Sequence, residues 1–206
     1  MSADRRPTSA ARFRVCVFCA SSNDAPERYF EAARELGVRL AQRDWTLVYG
    51  GGSVGLMGAV ARSVHEVGGR VVGVIPELLR VAEVAYHDAD ELVVTQDMAE
   101  RKTVMVARSD AFLCLPGAFG TLDELFEVLT LRQLGYHDKP IVLVDIDGFW
   151  SPFVACFERL FADRLSRAEC RRLYELLPDV ASALERLARD ANGDRSGSGR
   201  GDRDIS

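Results

Sequence analysis

The stretch from residue 110 to residue 125 constrains the fold more than any other part of the sequence. Residues 111–115 are all apolar or cysteine, which is typical of a strand covered on both faces of a sheet. Pro116, Gly117 and Gly120 then end the strand abruptly. Apolar residues follow at helical spacing, namely Leu122, Leu125, Phe126 and Leu129. The sequence therefore predicts a buried strand, a glycine turn and a helix.

The start of this helix has the residues of a capping box. Thr121 and Glu124 are three positions apart, so the Thr side chain is predicted to accept from the amide of Glu124 while the Glu side chain reaches back. Unpaired amides and the positive end of the helix dipole would face the space above the turn, which predicts an anion site with phosphate as its natural ligand. The alternative is an ordinary turn whose glycines only allow tight packing.

Two more predicted strands end in turns of small or polar residues. The strand at 14–19 leads into Ser21 and Ser22, and the strand at 46–49 leads into the glycine run 50–55. This run fits the dinucleotide fingerprint, but that fingerprint normally follows the first strand of its unit and this run follows the second. We interpret it as a second nucleotide-facing loop, with tight packing of strand and helix as the alternative.

Strands and helices alternate along most of the chain. Further strands are predicted at 70–75, 91–95 and 141–144, and helices at 26–43, 56–67, 97–109 and 121–134. Two amphipathic segments follow at 149–164 and, interrupted at Pro178, at 168–189. This alternation predicts one α/β domain over residues 13–190, a Rossmann-like doubly wound parallel sheet with helices on both faces, between disordered segments 1–12 and 191–206. Because ligands of such sheets bind beyond the carboxyl ends of the strands, the three turns should converge on one crevice.

Composition narrows the classes of function. A net charge of -5 and a pI of about 5.3 argue against nonspecific nucleic-acid binding. No stretch approaches the ~20 apolar residues of a membrane span, and no apolar core of a secretion signal is present, so we expect a cytoplasmic protein. Five cysteines suggest reduced thiols. Cys16 and Cys19 would point to opposite faces of a strand, so we predict no zinc or redox pair there.

Arg101 is predicted to lie on a semi-buried helix face. It shares a stripe with Met98 and Met105, three positions before it and four after it. A buried guanidinium needs an anion, which is either a structural carboxylate or the phosphate of a ligand. Without further context, the residues favour a structural salt bridge.

Four segments, in the same order, resemble the Lonely Guy family of cytokinin-activating phosphoribohydrolases, whose members are often mislabelled lysine decarboxylases. Residues 116–124 resemble its PGGxGTxxE signature, and residues 18–22, 50–58 and 100–102 resemble three further segments. The likeness spans roughly residues 13 to 165. Ala118 departs from it by replacing the second glycine of the signature. A positive φ would strain an alanine there by roughly 1 kcal/mol, whereas a negative φ would make the change harmless.

The resemblance implies a homodimeric enzyme that hydrolyses the N-glycosidic bond of AMP or N6-prenylated AMP to the free base and ribose 5-phosphate. It implies Glu124 and Arg101 as catalytic residues, and a carboxylate suits the oxocarbenium-like transition state of this reaction. With residues 100–102 in register with the family, a ligand phosphate is favoured over a structural carboxylate as the anion of Arg101, which would bind the phosphate and ribose side or steady the departing base. The scheme requires no metal or other cofactor. The helices at 97–109 and 121–134 are candidates for the dimer interface. The implied substrate-binding residues are Ser21, Gly52, Met57, Glu83, Lys102, Gly117, Ala118, Phe119, Gly120, Thr121 and Thr130.

Three other functions stay open on the sequence alone. A non-catalytic carrier of a nucleotide or of the molybdenum cofactor is compatible with the same fold. An NAD-dependent oxidoreductase would use the glycine run 50–55. A pyridoxal-phosphate decarboxylase would need a Schiff-base lysine, for which Lys102 and Lys139 are the only candidates in the chain.

Overall fold

The computed structural model describes residues 12–80 and 84–193. Most of the two segments predicted to be disordered therefore lies outside the described residues, with only Arg12 and residues 191–193 inside. Glu83, one of the implied substrate-binding residues, also lies outside them.

A parallel sheet of seven strands forms the centre of the described part of the chain. The strands are β1 (Arg14–Phe18), β2 (Thr46–Tyr49), β3 (Arg70–Pro76), β4 (Glu91–Thr95), β5 (Ala111–Cys114), β6 (Ile141–Val144) and β7 (Glu175–Leu177). Their order is β4-β3-β2-β1-β5-β6-β7, and all neighbouring strands are parallel. The direction of winding reverses between β1 and β5, so the switch point, where sheets of this kind bind ligands, lies beyond their carboxyl ends.

Helices cover both faces of the sheet. They are α1 (Glu27–Gln42), α2 (Gly55–Glu66), α3 (Glu77–Arg80), α4 (Met98–Ala107), α5 (Phe119–Gln133), α6 (Ser151–Ala162) and α7 (Val180–Ala191). One buried cluster joins Leu36 of α1 and Val60 of α2 to one face, and a second joins Met105 of α4 and Leu125 of α5 to the other. The predicted doubly wound α/β fold is confirmed. None of the described helices has the length and apolar character needed to cross a bilayer.

The amphipathic segment predicted over 168–189, with an interruption at Pro178, contains three elements in the structure, and the break falls between β7 and α7. Residues 168–173 form a 3-10 helix, β7 follows, and α7 begins only at Val180, with the Asp179 carboxylate accepting from the Ser182 amide at 2.7 Å. β7 has three residues and all of them are half-buried. A strand this short leaves no recognisable alternation in the sequence, so its pairing with β6 at the edge of the sheet could not be foreseen.

Candidate active site

The three turns singled out in the sequence are bonded to one another at the carboxyl ends of β1, β2 and β5. The Ala20 amide donates to the Pro116 carbonyl at 3.2 Å, and the Leu56 amide donates to the Ala20 carbonyl at 3.0 Å. Gly55 has a φ of +59°, and a methyl group on it would lie 2.4 Å from the backbone of Ser21, so the contact requires glycine. The turns thus converge, as predicted.

The N-terminus of α2 has no amides left for a ligand. The Gly55 amide donates to Asn23 Oδ1 at 2.8 Å. The amides of Leu56 and Met57 donate to the carbonyl of Ala20 at 3.0 and 3.4 Å. A dinucleotide fingerprint would present these amides to a pyrophosphate. The NAD hypothesis therefore loses the feature that suggested it.

The N-terminus of α5 is different, because its first amides are unpaired. The first amide with an intrahelical acceptor is that of Leu122, which donates to the Ala118 carbonyl at 3.0 Å. Within residues 12–80 and 84–193, no group accepts from the amides of Phe119, Gly120 or Thr121. Ala118, Phe119 and Gly120 are exposed. These amides and the helix dipole form a place for an anion next to the switch point.

The predicted capping box is wrong. The N-cap is Ala118, so α5 starts at Phe119 and both Thr121 and Glu124 lie inside the helix. The Glu124 carboxylate does not reach back because Arg101 binds it. Thr121 is buried and packs on Gly117, where an added methyl group would lie 2.1 Å from Thr121 Oγ1. Ala118 has a φ of -101°, so alanine is unstrained where the family signature has glycine.

A buried ion pair joins α4 to α5. Arg101 Nη1 donates to Glu124 Oε1 at 2.7 Å, and the two side chains are only 7% and 9% exposed. Arg101 Nε donates to the Val74 carbonyl at 3.0 Å. A methyl group on Gly50 would lie 1.9 Å from Arg101 Nη2, so the glycine loop leaves room for the guanidinium. The prediction that Arg101 is buried against an anion is correct, and the anion is Glu124.

Two opposing effects act on the pKa of Glu124. Burial raises the pKa of Glu124, and the Arg101 guanidinium opposes this shift by favouring the charged carboxylate. A carboxylate that is shielded from water and oriented by a hydrogen bond is well suited to stabilise a developing positive charge.

Met57 and Gly52 lie close to Arg101. A methyl group on Gly50 would lie 3.3 Å from Met57 Sδ, and one on Gly52 would lie 2.6 Å from Met57 Cε. The Met57 thioether therefore covers the start of the glycine loop. Ser21 is exposed at the end of the turn after β1. The structure thus brings these three predicted residues to the same edge of the sheet as Arg101.

Neither lysine of the chain is a free amine. Lys102 Nζ binds Asp123 at 3.0 Å and Glu127 at 2.5 Å, both on α5. Lys139 Nζ donates to the Val106 carbonyl at 2.7 Å. A Schiff-base lysine must be able to lose its proton, but the hydrogen bond to Glu127 raises the pKa of Lys102. These contacts argue against a pyridoxal-phosphate site.

Thr130 has helical spacing from Phe126 and Leu134, which predicts an inward hydroxyl, and this prediction is wrong. Thr130 is exposed, and its hydroxyl donates to the Phe126 carbonyl of its own helix at 2.7 Å. At 1.5 Å per residue it lies roughly 16 Å along the axis from Phe119. A threonine in a helix can satisfy its hydroxyl on the preceding turn, so it needs no inward partner. Met98, expected on the semi-buried stripe, is 41% exposed.

Two groups of the site had no distinct signal in the sequence. The Val74 carbonyl that fixes Arg101 is a backbone group, which any residue at that position would supply. Asn23, whose side chain caps α2, lies in a turn that was recognised only as polar. A wound parallel sheet with unpaired helix amides and a buried Arg–Glu pair at its switch point defines a Rossmann-like α/β protein, and the crevice at that point is its candidate anion site.

Comparisons with known proteins identify the family. The family described as "Possible lysine decarboxylase" matches residues 57–187. Probable cytokinin riboside 5'-monophosphate phosphoribohydrolase LOGL2 of Oryza sativa subsp. japonica is 44% identical over 178 residues, covering 86% of this chain and 73% of the relative. Cytokinin riboside 5'-monophosphate phosphoribohydrolase LOG5 of Arabidopsis thaliana is 41% identical over 174 residues, covering 84% and 76%. The chain belongs to the Lonely Guy family.

Solved structures agree on the fold. The Moco carrier protein from Chlamydomonas reinhardtii has a TM-score of 0.69 at 23% identity, covering 89% of this chain and 99% of that one. The molybdenum cofactor binding protein from Rippkaea orientalis has a TM-score of 0.68 at 20% identity, with the same coverage of 89% and 99%. At these identities the likeness shows the fold alone.

Proposed function

We propose that this protein is a nucleoside 5'-monophosphate phosphoribohydrolase, which hydrolyses the N-glycosidic bond of AMP or N6-prenylated AMP to the free base and ribose 5-phosphate. The observation that carries the proposal is the buried ion pair, 2.7 Å long, between Arg101 on α4 and Glu124 on α5, the helix whose first amides are unpaired. Relatives at 41% and 44% identity that are named for this activity support it.

The arrangement suggests how the chain would carry out this reaction. The 5'-phosphate would bind the amides of Phe119, Gly120 and Thr121 at the positive end of α5. Glu124 lies one turn further along the helix, roughly 4.5 Å from Thr121 in axial rise. This offset would direct the Glu124 carboxylate towards the ribose, where it would stabilise the oxocarbenium-like sugar. As the bond between C1' and the base breaks, the base would leave with the electron pair and take up a proton, while water adds its oxygen to C1' and gives its own proton to Glu124. Arg101 would keep the carboxylate ionised and oriented.

The direct test is an assay of base release. The protein is incubated with AMP and, separately, with isopentenyladenosine monophosphate, and the free base and ribose 5-phosphate are quantified by chromatography. We expect equal amounts of the two products from at least one substrate. Binding of nucleotide without release of base would contradict the proposal and favour the carrier alternative.

Gly120→Ala is expected to weaken substrate binding without weakening the fold. No heavy atom lies within 4 Å of a methyl group placed on Gly120, and its φ is not positive. Alanine should therefore stabilise the helix by up to about 1 kcal/mol. The new methyl group would occupy the space in front of the free amides, so the KM for AMP should rise by about tenfold. The melting temperature of Gly120→Ala shows that the fold is kept, and an unchanged KM in this variant would refute the phosphate site.

The pH profile should report the environment of Glu124. The carboxylate acts in its charged form, so protonation removes activity as the pH falls through its pKa. Because burial raises the pKa of Glu124 above its ordinary value of 4.5, kcat/KM should decline at a pH where exposed carboxylates are still charged. The melting temperature measured at each pH separates this effect from acid unfolding. A flat profile down to pH 4.5 would contradict the assigned role of Glu124.

We also propose that the protein is a cytoplasmic homodimer that associates through α5. Three large apolar side chains on one side of this helix are exposed, namely Phe119 (88%), Phe126 (43%) and, at its C-terminal end, Leu134 (65%). Since Phe119 borders the unpaired amides, a second subunit on this face would border the site as well. Light scattering should then give twice the chain mass of 22.7 kDa.

A further inference from the structure

A line of three polar side chains links α2 to the segment before β4, outside the reaction centre. Nδ1 of His65 lies 2.9 Å from the hydroxyl of Tyr86, and Nε2 lies 3.1 Å from Asp90 Oδ2. The same Asp90 oxygen accepts from the amide of Val71 at 2.8 Å. The rings of His65 and Tyr86 stack with their centroids 5.5 Å apart, and Tyr86 is 8% exposed. All three side chains are therefore held in place by specific contacts.

The direction of these hydrogen bonds follows from their chemistry. A carboxylate only accepts, so the Nε2 of His65 carries the proton that is donated to Asp90. In the neutral imidazole the Nδ1 is then the acceptor, and the Tyr86 hydroxyl donates to it. Asp90 thus selects the tautomer of His65 that can accept from Tyr86.

Tyr86 also belongs to a segment that pairs with the glycine loop. The Tyr86 amide donates to the Gly51 carbonyl at 2.8 Å. The amide and hydroxyl of Ser53 both donate to the Val84 carbonyl, at 2.7 and 3.1 Å. Gly52 and Ala85 form an antiparallel bridge. These contacts run along the glycine loop between Gly51 and Ser53, so the 84–86 segment supports the loop along one side.

The loop in turn borders the candidate active site. Gly50 packs against the Arg101 guanidinium, and Met57 covers Gly50 and Gly52. Glycine-rich backbone is flexible unless its neighbours fix it. The shape that the loop presents to a nucleotide therefore depends on the 84–86 segment, and the side chain that anchors this segment to α2 is Tyr86.

We propose that Tyr86, His65 and Asp90 are positioning residues that fix the glycine loop for nucleotide binding. This inference rests on the proposed function, since it concerns the same crevice. The three residues act through the backbone of the loop, because none of them is bonded to Arg101 or Glu124. Arg101 is held independently by Val74 and Glu124, so loss of the anchor affects binding more than turnover.

Matched substitutions separate this role from general stability. Tyr86→Phe removes the hydroxyl but keeps the ring. His65→Gln places an amide nitrogen near the Nε2 position and keeps the bond to Asp90, while His65→Asn places an amide oxygen near the Nδ1 position and keeps an acceptor for Tyr86. Tyr86→Phe and His65→Gln should raise the KM for AMP about three- to tenfold, the effect of one lost hydrogen bond, with kcat changed less than about twofold.

The two remaining variants act as controls within the network. His65→Asn should raise the KM less than His65→Gln does, because it retains the acceptor of the Tyr86 hydroxyl. The double variant Tyr86→Phe/His65→Gln should be no worse than either single variant, because both remove the same hydrogen bond. A KM raised equally by His65→Asn and His65→Gln, or unchanged in Tyr86→Phe, would overturn the proposal.

Amide hydrogen exchange gives a readout that needs no catalysis. In Tyr86→Phe and His65→Gln the amides of Ser53 and Tyr86 should exchange faster, while amides of the central strands keep their wild-type rates. Faster exchange over the whole fold would show a merely structural role and would also overturn the proposal. Should the wild-type protein release no base, the proposed activity fails, but these exchange rates and the Kd for AMP still decide whether the three residues position the loop.

Discussion

Glu124→Gln is expected to remove nearly all hydrolysis of AMP in a protein that still folds and binds nucleotide, although it loses stability because the buried Arg101 cation keeps no anionic partner. Glutamine has the size of glutamate, and its amide oxygen can still accept from Arg101 Nη1, which now binds Glu124 at 2.7 Å. It carries no negative charge and takes no proton from water. Losing one group that stabilises a transition-state charge typically costs about 10² to 10³ in turnover, so we expect a loss of that size in kcat.

Release of free base, the Kd for AMP and the melting temperature together test this expectation. Glu175→Gln is a matched control, because Glu175 also binds an arginine, Arg186, at 2.7 Å but lies on β7 at the edge of the sheet. We expect wild-type turnover from this control. A Glu124→Gln variant that folds and turns over AMP within tenfold of the wild type would remove Glu124 from the reaction.

Arg101→Met should be the most destabilising single change at the site. It leaves the Glu124 carboxylate buried with 9% of its side chain exposed and no cationic partner. Breaking a buried ion pair on one side typically costs about 3–5 kcal/mol, whereas replacing both partners by apolar residues is often neutral. The double variant Arg101→Met/Glu124→Leu should therefore regain most of the lost stability and remain inactive.

Urea unfolding of the wild type and the two variants measures these differences, and the assay of base release measures activity. Arg186→Met is the control, since its ion pairs with Glu175 and Asp190 are more exposed than the pair of Arg101 and should contribute about 1 kcal/mol or less each. An Arg101→Met variant as stable as the wild type would contradict the predicted contribution of the buried ion pair to stability. Activity in the double variant would show that the pair serves stability alone.

The sequence predicted the fold well where local patterns carry the information. Residues 111–115 are buried on both faces and end at Pro116, so strand and turn could be located from composition alone. The helical stripe through Met105 placed Arg101 on a buried face, as found. Periodicity and turn residues are local properties, and the structure follows them wherever no distant partner intervenes.

The wrong predictions concern groups whose hydrogen-bond partner lies far away in the sequence. Thr121 and Glu124 have the spacing of a capping box, but Arg101 supplies the partner of the carboxylate from another helix. The glycine run suggested that the first amides of α2 are open to a nucleotide, but the Asn23 side chain and the Ala20 carbonyl accept their hydrogen bonds. Such pairings between distant segments form only once the chain is folded, so spacing along the sequence does not show them.

The close approach of Gly50 and Arg101 has a consequence for how this protein can diverge. A side chain at position 50 and an arginine at position 101 would claim the same volume, since the first methyl group would already lie 1.9 Å from Nη2. A side chain at position 50 would therefore push the guanidinium out of the place where Val74 and Glu124 now hold it, so substitutions at position 50 should persist only together with changes around position 101.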